Sequence, residues 1–167
     1  MKTPQKYWGW CHNHGGMMLK NILVIHGPNL NLLGKREPKI YGKCTLEDIN
    51  IELEKAAKRL GAKLRIFQAN LEGEIVNIIQ EQSEKWADAI VINPAAYTHT
   101  SVAIRDCLAA VKIPAVEVHI SNVFGREEFR HKSLIAPVAA GGVYGFGKES
   151  YILGLQAALC TLKKVKK

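Results

Sequence analysis

The sequence predicts an α/β domain built on a doubly wound sheet of five parallel strands with helices on both faces. Two observations carry this prediction. From Asn21 onward, short apolar runs alternate with longer segments whose apolar residues recur at helical spacing, which is the pattern of successive βαβ units. Several of these runs also stop at Pro, Gly or Asn rather than fading out, as buried strands do when they end in functional turns. A length of 167 residues suits one domain, able to bury a core without disulfide or metal staples.

The elements follow in order. Residues 22–25 (Ile-Leu-Val-Ile) form the first strand, closed by His26-Gly-Pro-Asn. Thr45 and Asp48 make a capping box that opens a helix. Its apolar face is Leu46, Ile49, Leu53, Ala56, Ala57 and Leu60, and Gly61 ends it. Residues 63–68 are the next strand. Residues 72–87 are a helix carrying Ile75, Ile78, Ile79 and Trp86, and residues 89–92 a strand stopped by Asn93-Pro94. A helix over 101–111 closes before Pro114 and leads into a strand at 115–119. Residues 134–138 are expected to supply the fifth strand, before a glycine-rich turn and a last helix over 149–162. Right-handed crossovers then put the helices on both sides of the sheet.

The formal charge of +8 suggests nucleic acid until it is located. Lys2 and Lys6 stand near the N-terminus and Lys163, Lys164, Lys166 and Lys167 at the C-terminus, leaving 17 basic against 15 acidic residues between Met18 and Leu162. A nearly neutral body with basic ends does not argue for a nucleic-acid partner. No apolar stretch approaches the ~20 residues of a membrane helix. Cys11, Cys44, Cys107 and Cys160 are scattered without a CxxC pair, which suits reduced thiols in the cytoplasm. Cys107 and Cys160 are expected to pack in the core. Residues 1–19 read as a disordered or non-native leader, 20–162 as the single domain and 163–167 as a basic tail. Cys11, His12 and His14 lack the paired spacing of a zinc site.

In a doubly wound fold, ligands bind beyond the carboxyl ends of the strands. After the first strand stands Gly27-Pro-Asn-Leu-Asn-Leu-Leu-Gly34, then Arg36-Glu-Pro and Tyr41-Gly42. After the third stands Asn93-Pro-Ala-Ala-Tyr-Thr-His99-Thr-Ser101, and the fourth exits through Glu117-Val-His119-Ile-Ser121-Asn122. Glu117 and His119 are two apart on a strand and so share a face. Asn, His, Glu, Arg and Tyr gathered at three strand ends define a binding or catalytic pocket.

These segments, with Arg126-Glu-Glu-Phe-Arg130 completing the order, resemble the type II 3-dehydroquinate dehydratases over about residues 19–162. The resemblance implies a flavodoxin-like fold. It also implies dehydration of 3-dehydroquinate to 3-dehydroshikimate in the shikimate pathway, without cofactor or metal. It further implies trimers assembled into a dodecamer.

Residue by residue, the resemblance implies that Tyr41 is the base, acting as a phenolate. A free tyrosine has a pKa near ~10, so Arg36 beside it is the cation that favours the anion. Gly34, Pro38 and Gly42 punctuate this segment as a closing lid. His119 resembles the general acid oriented by Glu117, and Asn29 the group that helps stabilise the enolate. Asn93 and the backbone amides of Ile120 and Ser121 resemble the carboxylate site. His99 and Arg130 resemble the residues that hold the ring hydroxyls. Asp106 resembles the residue that reaches a neighbouring subunit's site.

Other classes fit less well. Gly142-Val-Tyr-Gly-Phe-Gly-Lys148 approaches a nucleotide-binding loop, but Glu149 stands where Ser or Thr should meet magnesium. A phosphorylatable receiver would carry Asp where Asn93 stands, and a flavin carrier would be coloured. A non-catalytic sugar-acid binder would keep Arg130, His99 and Asn93 and need neither Tyr41 nor His119.

Overall fold

The structure, a computed structural model, describes residues 19–35 and 44–163. Arg36, Pro38, Tyr41 and Gly42 of the expected lid, most of the expected leader, and residues 164–167 lie outside the described residues. Five strands, β1 (Lys20–His26), β2 (Ala62–Gln68), β3 (Ala89–Asn93), β4 (Ala115–His119) and β5 (Gly141–Tyr144), form one sheet. The spatial order is β2-β1-β3-β4-β5, and every pairing is parallel. Among the described residues, α1 (Leu46–Leu60), α2 (Glu72–Lys85) and α3 (Val102–Ala110) connect successive strands, and α4 (Glu149–Lys163) follows β5.

Alternation along the strands sorts the core into two layers. Ile22 and Val24 of β1, Val91 of β3 and Val118 of β4 face Ile49 and Leu53 of α1 and Tyr151, Leu155 and Ala158 of α4. Leu23, Ile25, Ile90 and Ile92 face the other way, against Ile75 and Ile79 of α2 and Ile104 and Leu108 of α3. Because both faces are covered, residues 22–25 of β1 and 89–92 of β3 are apolar throughout rather than alternating. The α4 helix lies so close to the sheet that a Cβ on Gly154 would stand 2.4 Å from Val118 Cγ1.

The helix ends are local chemistry. Thr45 accepts from the Asp48 N–H while the Asp48 carboxylate accepts from the Thr45 N–H at 2.9 Å, the reciprocal box the sequence predicts. Gly61 ends α1 at φ 68°, a left-handed position where glycine has no Cβ to clash. At the amino-terminal end of the sheet, Trp86 caps α2, with the Arg65 guanidinium 4.5 Å from its ring centroid.

Two expectations are corrected. Residues 134–138 are not the fifth strand: they form turns, in which Val138 and Ala139 both donate to the Ile135 carbonyl. Ser133 Oγ accepts from the N–H groups of Ile135 and Ala136, so this backbone is already paired and Ile135 simply plugs the α2–α3 face. The chain joins the sheet at Ala140, whose N–H donates to the Ala115 carbonyl at 2.8 Å, and β5 is the glycine-rich segment itself. Cys107 is buried as expected, but Cys160 is exposed on the outer side of α4.

Candidate active site

The strand order reverses between β1 and β3, and the loops leaving their carboxyl ends part there to open a cleft. Its walls come from Asn29 after β1, Asn93 and His99 after β3, and His119, Ile120 and Ser121 after β4, with Arg126 and Arg130 closing one side. The first wall is set by a close approach. The Gly27 N–H donates to the Asn93 carbonyl at 2.8 Å, and a Cβ on Gly27 would lie 2.6 Å from Pro94 C and O. Only glycine lets the two loops meet there.

Asn29 follows in the left-handed region at φ 65°, which asparagine tolerates. Its N–H donates to Asn70 Oδ1 at 3.0 Å, and Tyr97 Oη holds the Asn70 carbonyl at 2.9 Å. The loop after β1 is thereby fixed by the loop after β2.

At the end of β4, Glu117 and His119 share a face as predicted. His119 Nε2 lies 2.8 Å from Glu117 Oε1, and the two residues are 7% and 1% exposed. Thr98 Oγ1 donates to Glu117 Oε1 at 3.1 Å, and Ser133 Oγ lies 3.1 and 3.0 Å from the two carboxylate oxygens. Glu117 is thus the acceptor for its neighbours and orients the His119 ring through Nε2–H. The other ring nitrogen, Nδ1, has no hydrogen-bond partner among the described residues.

Asn93 is 3% exposed. Its Oδ1 accepts from the Ala95 N–H at 3.1 Å, and its Nδ2 donates to Tyr151 Oη at 3.0 Å. Ala95 itself stands at φ 52°, an uncommon conformation for a residue with a Cβ. His99 Nδ1 donates to the Lys132 carbonyl at 2.8 Å. Arg130 Nε and Arg126 Nε both reach Glu127 Oε2, at 2.9 and 3.2 Å. The Glu127 backbone N–H and then Arg130 hold its carboxyl down to about 2. Two guanidiniums and two imidazoles around one cleft suit a small anionic ligand.

The structure therefore brings together Asn29, Asn93, His99, His119, Ile120, Ser121 and Arg130, with Glu117 directly behind His119. Asp106 is on α3, pairs with Arg105 at 2.6 Å and does not line this cleft. Arg36 and Tyr41 lie outside the described residues. Sequence reasoning passed over Thr98, Ser133 and Arg126. Thr98 and Arg126 sit inside motifs already singled out, whereas Ser133 carries no signal because its partner is sixteen residues away. Among the described residues, no group of His, Cys, Asp and Glu is arranged to hold a metal ion.

A doubly wound α/β domain with a buried carboxylate–imidazole pair opening on an arginine-flanked cleft defines a class of enzyme whose site lies at the switch point of the sheet. The family model described as "Dehydroquinase class II" matches residues 20–159. A 3-dehydroquinate dehydratase of Trichodesmium erythraeum is 57% identical over 147 residues, covering 88% of this chain and 97% of that protein. One from Geotalea daltonii is 57% identical over 143 residues, or 86% and 99% of the two chains. The crystal structure of a type II dehydroquinase from Butyrivibrio crossotus superposes with a TM-score of 0.83 at 46% identity, covering 84% of this chain and 98% of that one. This chain belongs to the class II dehydroquinases.

Proposed function

We propose that this enzyme dehydrates 3-dehydroquinate to 3-dehydroshikimate through an enolate, as a step of the shikimate pathway. The observation that carries the reading is the buried Glu117–His119 pair at the mouth of a cleft lined by Asn29, Asn93, His99 and Arg130. The family relationship supplies the substrate.

The roles follow the family resemblance. Removing the proton beside the ketone needs a base, and Tyr41 takes it as a phenolate kept available by Arg36. The electron pair moves onto the ketone oxygen, where Asn29 helps hold the group that stabilises the enolate. Collapse of the enolate expels the hydroxyl group. His119, oriented through Nε2 by Glu117, protonates the leaving oxygen from Nδ1. Water and a conjugated enone are the products. Asn93 and the N–H groups of Ile120 and Ser121 receive the carboxylate, and His99 and Arg130 the ring hydroxyls. This chemistry calls on no cofactor or metal.

The same relationship supports further proposals. Residues 20–162 act as one catalytic unit, flanked by a leader over 1–19 and a basic tail over 163–167. Chains assemble as trimers within a dodecamer in the cytoplasm, with Asp106 of one chain reaching the cleft of the next. Exposed Phe124 and Phe129 beside the cleft support such contacts, and no helix among the described residues is long and apolar enough to cross a membrane.

Ultraviolet absorbance after adding 3-dehydroquinate to the chelator-treated protein tests the activity, because the enone product absorbs where the substrate does not. A prompt rise is expected. Flat absorbance, with or without thermal stabilisation by the substrate, would overturn the reading. Tyr41→Phe is expected to lower kcat by more than about a hundredfold while substrate still binds. Unchanged turnover would remove Tyr41 as the base.

A further inference from the structure

We propose that His26, Tyr151 and Asn50 are positioning residues whose hydrogen-bond relay anchors the Asn93 carboxamide in the cleft, in the polarity that the Ala95 N–H sets. None of the three lines the cleft. The inference rests on the reading of Asn93 as a substrate contact.

The direction of the relay follows from one backbone group whose role admits no choice. The Ala95 N–H can only donate, so the Asn93 atom facing it at 3.1 Å is the oxygen. The Asn93 nitrogen must then face Tyr151 Oη at 3.0 Å and donate to it. Tyrosine has one hydroxyl proton, and its remaining neighbour is His26 Nδ1 at 2.9 Å. Nδ1 therefore accepts, and the ring proton sits on Nε2, 2.9 Å from Asn50 Oδ1. Every donor meets an acceptor from Asn93 on β3, through Tyr151 on α4 and His26 on β1, to Asn50 on α1.

Burial enforces this order at the centre of the relay. His26 and Tyr151 are both fully buried, so an unmatched donor or acceptor on either of them has no water to turn to. Burial pushes the His26 imidazole down to about 4, against a smaller upward pull from Asn50, which keeps the ring neutral and Nδ1 able to accept. Burial likewise pushes the Tyr151 phenol far up, so it remains a hydroxyl. A flipped Asn93 amide would set its NH₂ against the Ala95 N–H and its oxygen against a hydroxyl oxygen whose one proton already goes to His26 Nδ1. The Ala95 N–H rules out that flip, and the relay holds the amide in the orientation that remains. It thereby presents one Nδ2 proton and one Oδ1 lone pair to the cleft in a fixed arrangement, and it ties the left-handed Ala95 to the same anchor.

The test compares Tyr151→Phe, Asn93→Ala and the double variant for kcat and KM toward 3-dehydroquinate. Losing one oriented hydrogen bond predicts a KM rise of roughly tenfold for Tyr151→Phe, with kcat changed much less. The discriminating result is the double variant: its KM should match that of Asn93→Ala alone, because the hydroxyl acts only through the amide. Multiplying effects would overturn the relay and leave a packing role. A KM rise in Asn93→Ala with none in Tyr151→Phe would overturn it while sparing the role of Asn93. Unchanged kinetics in Asn93→Ala would sink that role and the relay together. His26→Leu keeps Tyr151 but removes the acceptor that aims its hydroxyl. It is expected to reproduce the KM rise, and it decides the matter should Tyr151→Phe fail to fold; unchanged KM in His26→Leu would overturn the relay.

Discussion

A neutral histidine with no access to water is expected to make this fold less stable in acid. His26 binds a proton in the unfolded chain near its ordinary value of 6.5 but in the folded chain only near about 4. Its folded pKa is depressed, so between those values the unfolded state holds more protons and stability falls as the pH falls. Above 6.5 the contribution is fully present. Going from pH 7 to pH 5 is expected to cost about 2 kcal/mol from this residue alone. Urea unfolding at the two pH values measures it, and His26→Leu should flatten the difference. An equal pH dependence in the variant would place the sensitivity elsewhere. The sequence did not disclose this residue. His26 reads as the last residue before a turn, and its partners Asn50 and Tyr151 are 24 and 125 positions away. Glu117 and His119 were legible because a strand's two-residue period puts them on one face.

Among the elements, α1 was legible almost to the residue because each of its ends carries its own chemistry: the Thr45–Asp48 box and Gly61. β5 was not. Gly141 and Gly142 have no side chains to alternate, and a four-residue edge strand buries little, so the apolar run at 134–138 looked the better strand. What defines β5 is its pairing with β4, such as Val118 beside Val143, a long-range fact that no local pattern encodes. The junction of β1 with β3 gives a prediction at the same scale. Gly27→Ala would force a methyl against the Pro94 carbonyl, an overpacking expected to cost about 2 kcal/mol. That lowers the thermal midpoint by roughly 4–8 °C, and the displaced Asn93 should raise KM in the same variant. An unchanged midpoint would mean that the two loops yield freely.

For the molecule as a whole, the sheet divides labour between its two ends. The carboxyl ends hold the cleft, while the two helix layers bury α1 and α4 against one face and α2 and α3 against the other. The sequence made this architecture readable because both-face burial leaves continuous apolar runs, and the switch point then located the cleft. The proposed assembly is tested at this scale. Light scattering is expected to give the mass of twelve chains, and Asp106→Ala to impair activity without changing that mass. A monomer at full activity would remove Asp106 from the site.

The Arg65–Trp86 stack lies at the amino-terminal end of the sheet, the end away from the cleft. In a variant with Trp8 and Trp10 replaced by phenylalanine, its indole becomes a fluorescent gauge of the fold that catalysis does not disturb. Emission would follow the loss of the stack as the protein unfolds and stay level while substrate turns over. Conversion of substrate and integrity of the scaffold could then be followed at separate wavelengths in one cuvette, and a variant that is merely unfolded would be told at once from one that is folded and inactive.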